Sequence, residues 1–432
     1  MSEMDAAAAA ACVPPLPEDV ISEILARVPD VLSLFRCAAV CKPWRRLVAD
    51  PAFLLRRRHW PAGGGASLLG FFVQRHQLSV NARRKVSKLF PSRAPVLVPA
   101  PGSALGPGRR FLTSFVRDDA GVLDQAKPLA ARDGLLLLRL SLQSKDKISV
   151  LRLCVCDLLA GKRDLLPPLD VACFGDEGVR GYAVLSAADH GAGPHRPSSG
   201  YSTFFQVLLT GVYHEDGRGR VLIPKFSSAA SASRSWSCIQ GSLAGPFGNR
   251  VAVVTGGTAR WLFHSNSGNP NGPSLNTLDV GISTGSVSAT ELPLDMLPRI
   301  MRMDRTNVWL CLSMDERLSL IYLHNNYLWI LTQKDGGLGG TGTAWLCTQS
   351  VPVGVELGLF GIESLSMISI GEKSSSVLVL YYSDPDNAYV LDLQSGSTTK
   401  LAGWKRSFNY MTAVAYEINW LEFFMSRLGV RQ

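Results

Sequence analysis

Three short motifs in the sequence carry residues that could do chemistry. Gly281–Gly285 matches the Gly-x-Ser-x-Gly turn that presents the nucleophile of serine hydrolases, and Asp315 and His324 follow it in the order of a triad. That turn requires a helix directly after the serine, Ser283, whereas residues 286–290 have the pattern of a strand. The motif therefore favours a hairpin, and a serine hydrolase using Ser283 remains the enzymatic alternative.

The other two motifs suggest a cofactor and a metal. Gly337–Gly342 has the spacing of a dinucleotide-binding turn, but residues 344–347 form another strand pattern where that turn needs a helix. Cys154 and Cys156 would lie on one face of a strand, which supplies only half of a zinc site, and no second half is recognisable. We therefore expect no catalytic residue, no cofactor and no metal, and we interpret these cysteines as small buried hydrophobic residues.

The composition predicts a folded, multidomain chain without a membrane partner. Its 432 residues exceed the size at which single cores stop growing, and 46% are hydrophobic against 18% charged. The longest apolar run, Leu135–Leu142, is interrupted by Arg139 and is far shorter than the roughly 18 residues of a membrane span. Nine cysteines without a regular pattern, and no Asn-x-Ser/Thr site, favour a reducing compartment, the cytoplasm or nucleus.

The net charge of +9 comes from one segment. Residues 74–110, which include Arg83, Arg84, Lys85 and Lys88, contain eight Lys or Arg and no Asp or Glu. Because the charges outside this segment nearly balance, a nucleic-acid groove spread over the surface is not indicated. Three roles remain possible for this segment: a solvated loop, a contact with an acidic partner, or a nuclear-import signal.

The N-terminal region has the pattern of short, capped helices. Its apolar positions fall on one helical face over the first stretch, ended by Pro29, and Asp30 is placed to cap a second helix. Pro43 and the Asp50–Pro51 pair mark the starts of a third and a fourth helix. Helices of about ten residues are marginal alone, and so small a bundle cannot enclose all its apolar side chains. An exposed apolar face on such helices predicts a docking surface.

These residues resemble an F-box. The resemblance rests on Leu16–Asp19, Ile24–Leu25, Val28–Pro29, Leu34 and Val40–Leu47, about a tenth of the chain. In that family the equivalent residues form a three-helix module that grips the Skp-type adaptor, which in turn binds a cullin. The resemblance implies adaptor contacts here at Leu16, Pro17, Ile24, Leu25, Val28, Pro29, Leu34, Val40, Cys41, Trp44 and Leu47. The first turn is one residue longer than in some members, which leaves open which leucine fills the adaptor pocket there.

From Leu68 onward the sequence has the pattern of many short strands. Apolar runs such as Leu318–Leu331 alternate with Gly, Ser, Pro and Asp, and a weak echo of strand, Asp, turn Gly and strand recurs at Asp157, Asp279 and Asp392. The intervals of 122 and 113 residues correspond to two or three blades of about 45 residues each, which predicts a propeller-like array.

Two smaller predictions concern the same region. Five tryptophans recur on candidate strands, and we interpret them as packing between blades rather than as ligand-binding residues; they are Trp236, Trp261, Trp309, Trp329 and Trp345. The final stretch, Thr412–Leu428, has apolar residues at helical intervals, which favours a helix, although its aromatic residues would also suit a closing strand.

The predicted fold is therefore α+β and multidomain, a small helical F-box followed by an all-β, propeller-like domain. We expect a disordered leader over residues 1–14, the F-box module over 15–60, a linker over 61–67 and the β-rich substrate-binding domain over 68–432. This order resembles plant F-box proteins with a β-propeller-type associated domain.

The resemblance implies a non-catalytic substrate-recognition subunit of a cullin-RING ubiquitin ligase. Its partners would be the Skp-type adaptor, through it a cullin, and a target protein that the sequence does not identify. Candidate rim loops for the target are Asp189–Gly200 and Ser265–Ser274. A β scaffold with a vestigial F-box is the non-ligase alternative.

Overall fold

The structure is a computed structural model of the full chain. It describes the following residues, and the helices, strands, contacts and counts given for the protein are those of these residues: 16–56, 66–75, 94–103, 105–141, 150–172, 174, 178–190, 203–215, 218–229, 234–241, 250–265, 274–292, 308–313, 315–324, 327–334, 344–353, 365–381, 384, 386–406, 408–420 and 424. The predicted leader and the basic cluster Arg83–Lys88 lie outside these residues.

Four short helices form the N-terminal module: α1 (Glu18–Ala26), α2 (Val31–Val40), α3 (Lys42–Ala49) and α4 (Pro51–Arg56). The predicted start signals are confirmed. Asp30 caps α2 by accepting a hydrogen bond from the Ser33 backbone N–H at 2.8 Å, and Pro43 lies in the first turn of α3. Asp50 accepts from the Ala52 N–H at 2.8 Å at the start of α4. Because these carboxylates satisfy N–H groups that a helix start leaves open, local sequence decides where the helices begin.

Six four-stranded antiparallel sheets follow the helices and form the blades of a propeller. The strands are β1 (Ala66–Arg75), β2 (Val96–Pro99), β3 (Arg110–Phe111), β4 (Lys127–Arg132), β5 (Leu135–Arg139), β6 (Val150–Leu151), β7 (Leu153–Asp157), β8 (Lys162–Leu165), β9 (Leu169–Asp170), β10 (Val179–Ser186), β11 (Phe205–Glu215), β12 (Arg218–Ser227), β13 (Ser237–Gly241), β14 (Val253–Thr255), β15 (Thr258–Ser265), β16 (Ser274–Gly281), β17 (Val287–Glu291), β18 (Val308–Leu312), β19 (Leu318–His324), β20 (Tyr327–Lys334), β21 (Ala344–Pro352), β22 (Leu365–Ile370), β23 (Ser376–Tyr381), β24 (Tyr389–Asp392), β25 (Thr398–Lys400) and β26 (Phe408–Asn419). Blade 1 has the order β26-β1-β2-β3 and blade 2 the order β4-β5-β7-β8, while blades 3 to 6 each use four consecutive strands from β10 to β25. Strands β6 and β9 form a small extra sheet.

The ring is closed by strands that lie far apart in the chain. Strand β26 supplies the innermost strand of blade 1 and pairs with β1, with Asn419 opposite Ala66. The helix predicted over Thr412–Leu428 is therefore wrong for residues 412–419. The strand is covered on both faces, since Tyr416 and Ile418 pack between blades 1 and 2 while Ala415 packs between blades 6 and 1.

The hydrophobic core is divided into six clusters, one between each pair of neighbouring blades. Trp261 lies at the interface of blades 3 and 4 and Trp345 at that of blades 4 and 5, and both are buried. Trp329, Trp309 and Trp236 are partly buried against the clusters of their own blades, although Trp236 precedes β13 instead of lying on it. The interpretation of the tryptophans as packing residues is thus confirmed.

The cluster between blades 1 and 2 also contains the helical module. Leu25, Leu34 and Leu54 from the helices join Phe72 and Trp420 from blade 1 in one continuous set of buried side chains. The module is therefore packed against the ring. Within the described residues, no helix has both the length and the apolar character needed to cross a membrane.

The helices attach on one identifiable side of the ring. We call the A–B side the side on which the first and second strands of a blade are joined, as at Asp133–Gly134 in blade 2. Glu417, near the end of β26, accepts hydrogen bonds at 3.0 Å from the backbone N–H groups of Lys373 and Ser374 in the A–B turn of blade 6. Since β26 ends and β1 begins on this side, the module that precedes β1 is joined there.

The weak sequence echo corresponds to one turn in alternate blades. Gly161, Gly285 and Gly396 each lie in the turn between the third and fourth strands, in blades 2, 4 and 6, with φ of 66°, 69° and 71°. Only glycine adopts this left-handed conformation at no cost. All three turns therefore have a glycine at this position, although the sequences of the flanking strands differ. The spacing predicted two or three blades between copies, and the structure has two.

Three other predictions differ from the structure or lie outside it. The run Leu318–Leu331 is two strands, β19 and β20, paired antiparallel as a hairpin. Of the two candidate rim loops, only Asp189, His190 and the end residues of the second are described. The predicted linker overlaps β1, which begins at Ala66, and the other domain limits remain predictions.

Candidate functional site

An exposed apolar face lies on the helical module. Four large apolar side chains there remain open to solvent: Leu16 (57% exposed), Val20 (40%), Ile24 (50%) and Val40 (70%). We call these four residues the docking face. Val20 and Ile24 are four residues apart in α1, so they follow one another on one side of the helix, and Leu16 lies two residues before its start. Val20 was missing from the predicted contact residues, although this spacing identifies it.

The structure divides the predicted adaptor-contact residues into three groups by their exposure. Leu16, Pro17, Ile24, Pro29 and Val40 are exposed, whereas Leu25 and Leu34 are buried in the cluster shared with the ring. The remaining members are half-buried: Val28, Cys41, Trp44 and Leu47. Burial assigns Leu25 and Leu34 to the protein's own core, and an adaptor contact by any of these residues stays a prediction.

The docking face is held by packing more than by charge. Arg46 on α3 forms an ion pair of 3.1 Å with Glu18 at the start of α1, and Arg27 forms one of 3.0 Å with Glu23. All four side chains are exposed, and such pairs contribute about 0–1 kcal/mol. The orientation of α1 therefore depends on Leu25 and its neighbours in the shared cluster.

A second candidate site is a cavity of about 330 Å³ at the axis of the ring, on the A–B side. Five of the six blades contribute to its wall, mostly through their A–B turns. The lining residues are Arg132, Ala188, Asp189, His190, Val254, Thr255, Gly256, Gly257, Ser283, Leu312, Glu316 and Lys373. We call this the axial cavity. The candidate rim loop that begins at Asp189 and the serine of the hydrolase motif, Ser283, both reach this wall, but no sequence pattern indicated that they lie together.

Arg132 forms the floor of the axial cavity and links four blades. Its Nε and Nη2 donate to the carboxylate of Asp189 in blade 3, at 2.9 and 2.6 Å from Oδ1. Its Nη1 donates to Glu372 in blade 6, and its Nη2 lies 3.4 Å from the carbonyl oxygen of Val254 in blade 4. Glu372 also accepts from the Val254 N–H at 2.7 Å. This buried network joins chain segments up to 240 residues apart.

Burial and charge act in opposite directions on these groups. Burial alone would raise the pKa of Asp189, but the Arg132 guanidinium and its hydrogen bonds hold that pKa below its ordinary value. Burial raises the pKa of Glu372 above its ordinary value, because Arg132 and the Val254 N–H offset only part of the cost. Burial also opposes the charge of Arg132, yet Asp189, Glu372 and Asp133 raise its pKa well above the usual range.

The hydrolase motif does not assemble a triad. Ser283 lies in the turn between β16 and β17, and a strand follows it instead of a helix. Asp315 precedes β19 on the A–B side, whereas His324 ends that strand. Seven residues of strand span roughly 20 Å, so His324 lies at the opposite side of the ring from Ser283.

The cofactor and metal motifs also have structural explanations. Residues 337–342 are outside the described part of the chain, but the strands on either side of them, β20 and β21, pair antiparallel. Cys154 and Cys156 are buried between blades 1 and 2 with their Sγ atoms 3.9 Å apart, as the interpretation of buried hydrophobic residues requires. Within the described ranges, no group of three metal-ligating side chains comes together.

Comparison with protein families gives two matches. The family described as "Domain of unknown function (DUF7595)" matches residues 103–346, more than half of the chain, and the family described as "F-box-like" matches residues 14–59. The first match begins within blade 1 and ends in β21, so the ring closes only with strands outside it. No curated protein is significantly similar to the chain in sequence.

Several solved structures align with this chain at low scores. The acylaminoacyl peptidase of Pyrococcus horikoshii aligns with a TM-score of 0.33 and 11% identity over 68% of this chain and 41% of that one. The WD40 domain of SCAP from fission yeast gives 0.34 and 10% over 75% and 64%. The Cps50 (Swd1) β-propeller domain of Myceliophteria thermophila gives 0.32 and 9% over 65% and 87%. The chain spans about two fifths of the length of the peptidase, and scores this low carry no argument about function.

Proposed function

We propose that this chain, which belongs to the DUF7595 family and carries an F-box-like domain, is the substrate-recognition subunit of a cullin-RING ubiquitin ligase. The combination of an F-box-like domain with a β-propeller indicates an F-box substrate-adaptor protein. In the proposal, the docking face binds a Skp-type adaptor and through it a cullin, while the propeller binds the target. Catalysis belongs to other subunits, and the complex acts in the cytoplasm or nucleus.

The observation that carries this proposal is the exposure of the docking face on a module that is otherwise packed. Leu25, Leu34 and Leu54 are buried against the ring, so the helices already have a core. Leu16, Ile24 and Val40 take no part in that core, yet each leaves 50% or more of its surface open. Exposed apolar side chains clustered on short helices mark a partner-binding surface.

Combining Ile24→Asp with Val40→Asp is expected to weaken binding of the Skp-type adaptor by about 30-fold or more. A carboxylate placed in the contact must lose its water or become protonated, and residues that dominate an interface are worth about 2 kcal/mol or more. Binding is measured by calorimetry with the purified adaptor, and by co-elution of adaptor and full-length chain.

The matched control is Leu165→Asp with Leu346→Asp. These leucines lie on β8 and β21, are 49% and 42% exposed, and undergo the same change of charge. Adaptor binding should then be unchanged. If the docking-face variant binds as well as this control, or if the unaltered chain never co-elutes with adaptor or cullin, the ligase role is wrong and the scaffold alternative stands.

A further inference from the structure

The axial cavity has the size and position of a binding site. Its volume of about 330 Å³ lies at the lower end of small-molecule sites, about 300–1,000 Å³. It would hold about ten waters at about 30 Å³ each, which is room for one long side chain. At the A–B turn of blade 4, Gly256 and Gly257 have open space where a side chain would stand, so a peptide backbone can approach the wall closely.

The charges around the cavity are unequal. Arg132 and Lys373 are the cations of the described wall, and Asp189 and Glu316 are its carboxylates. Three more carboxylates stand directly behind: Asp133 and Glu372 beside Arg132, and Glu417 against the backbone of Lys373. Two further cations also stand behind the wall: Arg260 donates to the Thr255 carbonyl at 3.1 Å and is paired with Asp279, and Lys225 donates to the Ile282 carbonyl beside Ser283 at 3.0 Å. With Asp279 included, six carboxylates stand against four cations, so the potential in the cavity is negative, and a low-dielectric wall strengthens it.

The guanidinium of Arg132 is not available to an anionic guest. The guanidinium of Arg132 already donates to Asp189, Glu372 and the carbonyl oxygen of Val254. An anionic guest would have to displace one of these carboxylates and leave it buried without its cation. A cationic guest instead leaves these ion pairs intact and places its charge beside the wall carboxylates Asp189 and Glu316.

We infer that the axial cavity accepts the cationic side chain of an arginine or lysine of the target polypeptide. Glu316 is exposed at the mouth and meets the cation first, and Ser283 on the neighbouring wall offers a hydroxyl acceptor. The inference rests on the proposed function, since it names the chemistry by which the propeller selects its target.

The test measures binding of fluorescein-labelled Gly-Ser decapeptides to the purified full-length chain without the adaptor, by fluorescence anisotropy. Peptides carry two central arginines, two central glutamates or two central leucines. We expect the arginine peptide to bind at least tenfold more tightly than the other two. Ser283→Trp, which fills the cavity from an exposed turn position, should abolish this preference.

Two variants of neighbouring residues provide the matched control. Glu316→Lys should weaken binding of the arginine peptide about tenfold, whereas Asp315→Lys, also exposed but outside the cavity wall, should change it less than twofold. Both make the same change of net charge, so a general electrostatic attraction would affect them equally. Glu316 accepts a hydrogen bond from Thr255 through its backbone carbonyl, so the change of its side chain leaves this contact in place. Thermal unfolding should confirm that both variants fold.

Three results overturn the inference: no binding of the arginine peptide at any protein concentration, equal binding of the arginine and glutamate peptides, or equal loss in the two lysine variants. Adaptor co-elution is recorded on the same preparations. It should persist in Glu316→Lys, and peptide binding should persist in Ile24→Asp with Val40→Asp. A failure of the cavity is thereby separated from a failure of the ligase assignment.

Discussion

Arg132→Ala should lower the free energy of unfolding by about 3–5 kcal/mol, the cost of removing one partner from a buried ion pair. The loss is large because Asp189 and Glu372 would remain buried without the guanidinium that joins them. The measurement is urea denaturation of the full-length chain near neutral pH. Arg27→Ala is the control, since its ion pair with Glu23 is exposed and should contribute less than about 1 kcal/mol.

The same variant should regain part of its stability in acid. Without Arg132, burial and mutual repulsion would raise the folded-state pKa values of Asp189 and Glu372 above their unfolded values. The folded state would then bind more protons than the unfolded state, so stability falls as pH rises through those pKa values. The deficit of Arg132→Ala should therefore shrink from about pH 7 to about pH 5, and a deficit that stays constant or grows would contradict this account of the network.

Leu34→Ala should destabilise the chain by about 2–5 kcal/mol without altering the docking face. Leu34 is fully buried in the cluster shared by the helices and blades 1 and 2, so truncation leaves a cavity at their junction. Ile24→Ala on the exposed side of α1 should change stability by less than about 0.5 kcal/mol. Denaturation followed by both tryptophan fluorescence and far-ultraviolet dichroism measures both variants.

The shared cluster also predicts how the two parts unfold. Because Leu25 and Leu34 pack with Phe72 and Trp420, the helical module and blade 1 should lose structure in one transition. Coincident curves from the two probes support this coupling. A separate early transition of the helices, unaffected by Leu34→Ala, would show that the module is attached to the ring only through the chain.

The helical module could be predicted almost completely from sequence because its signals are local. Pro17, Asp30, Pro43 and Asp50 act within a few residues of their own position, and each helix begins where they indicate. The side chains that face the ring could not be separated from those that face solvent. Leu25 and Ile24 are neighbours on one apolar surface, and only the position of blade 1 decides that the former is buried.

The propeller was predictable as a class and less so in its details. The turn glycines at Gly161, Gly285 and Gly396 revealed the repeat because a left-handed backbone leaves little choice of residue. Strand β26 was predicted as a helix because its apolar residues fit both periods, and its partner β1 lies at the other end of the chain. The network of Arg132 and Glu372 likewise depends on the closed ring, which brings residues 240 positions apart into contact.

The pairing of β26 with β1 has a consequence for how this protein is made. A ribosome releases α1 to α4 early, whereas blade 1 stays incomplete until residues 408–419 have emerged. Unfinished or prematurely terminated chains would thus carry the helical module beside an open ring whose strand edge invites aggregation. Closure of the ring and protection of its strand edges therefore happen in the same event.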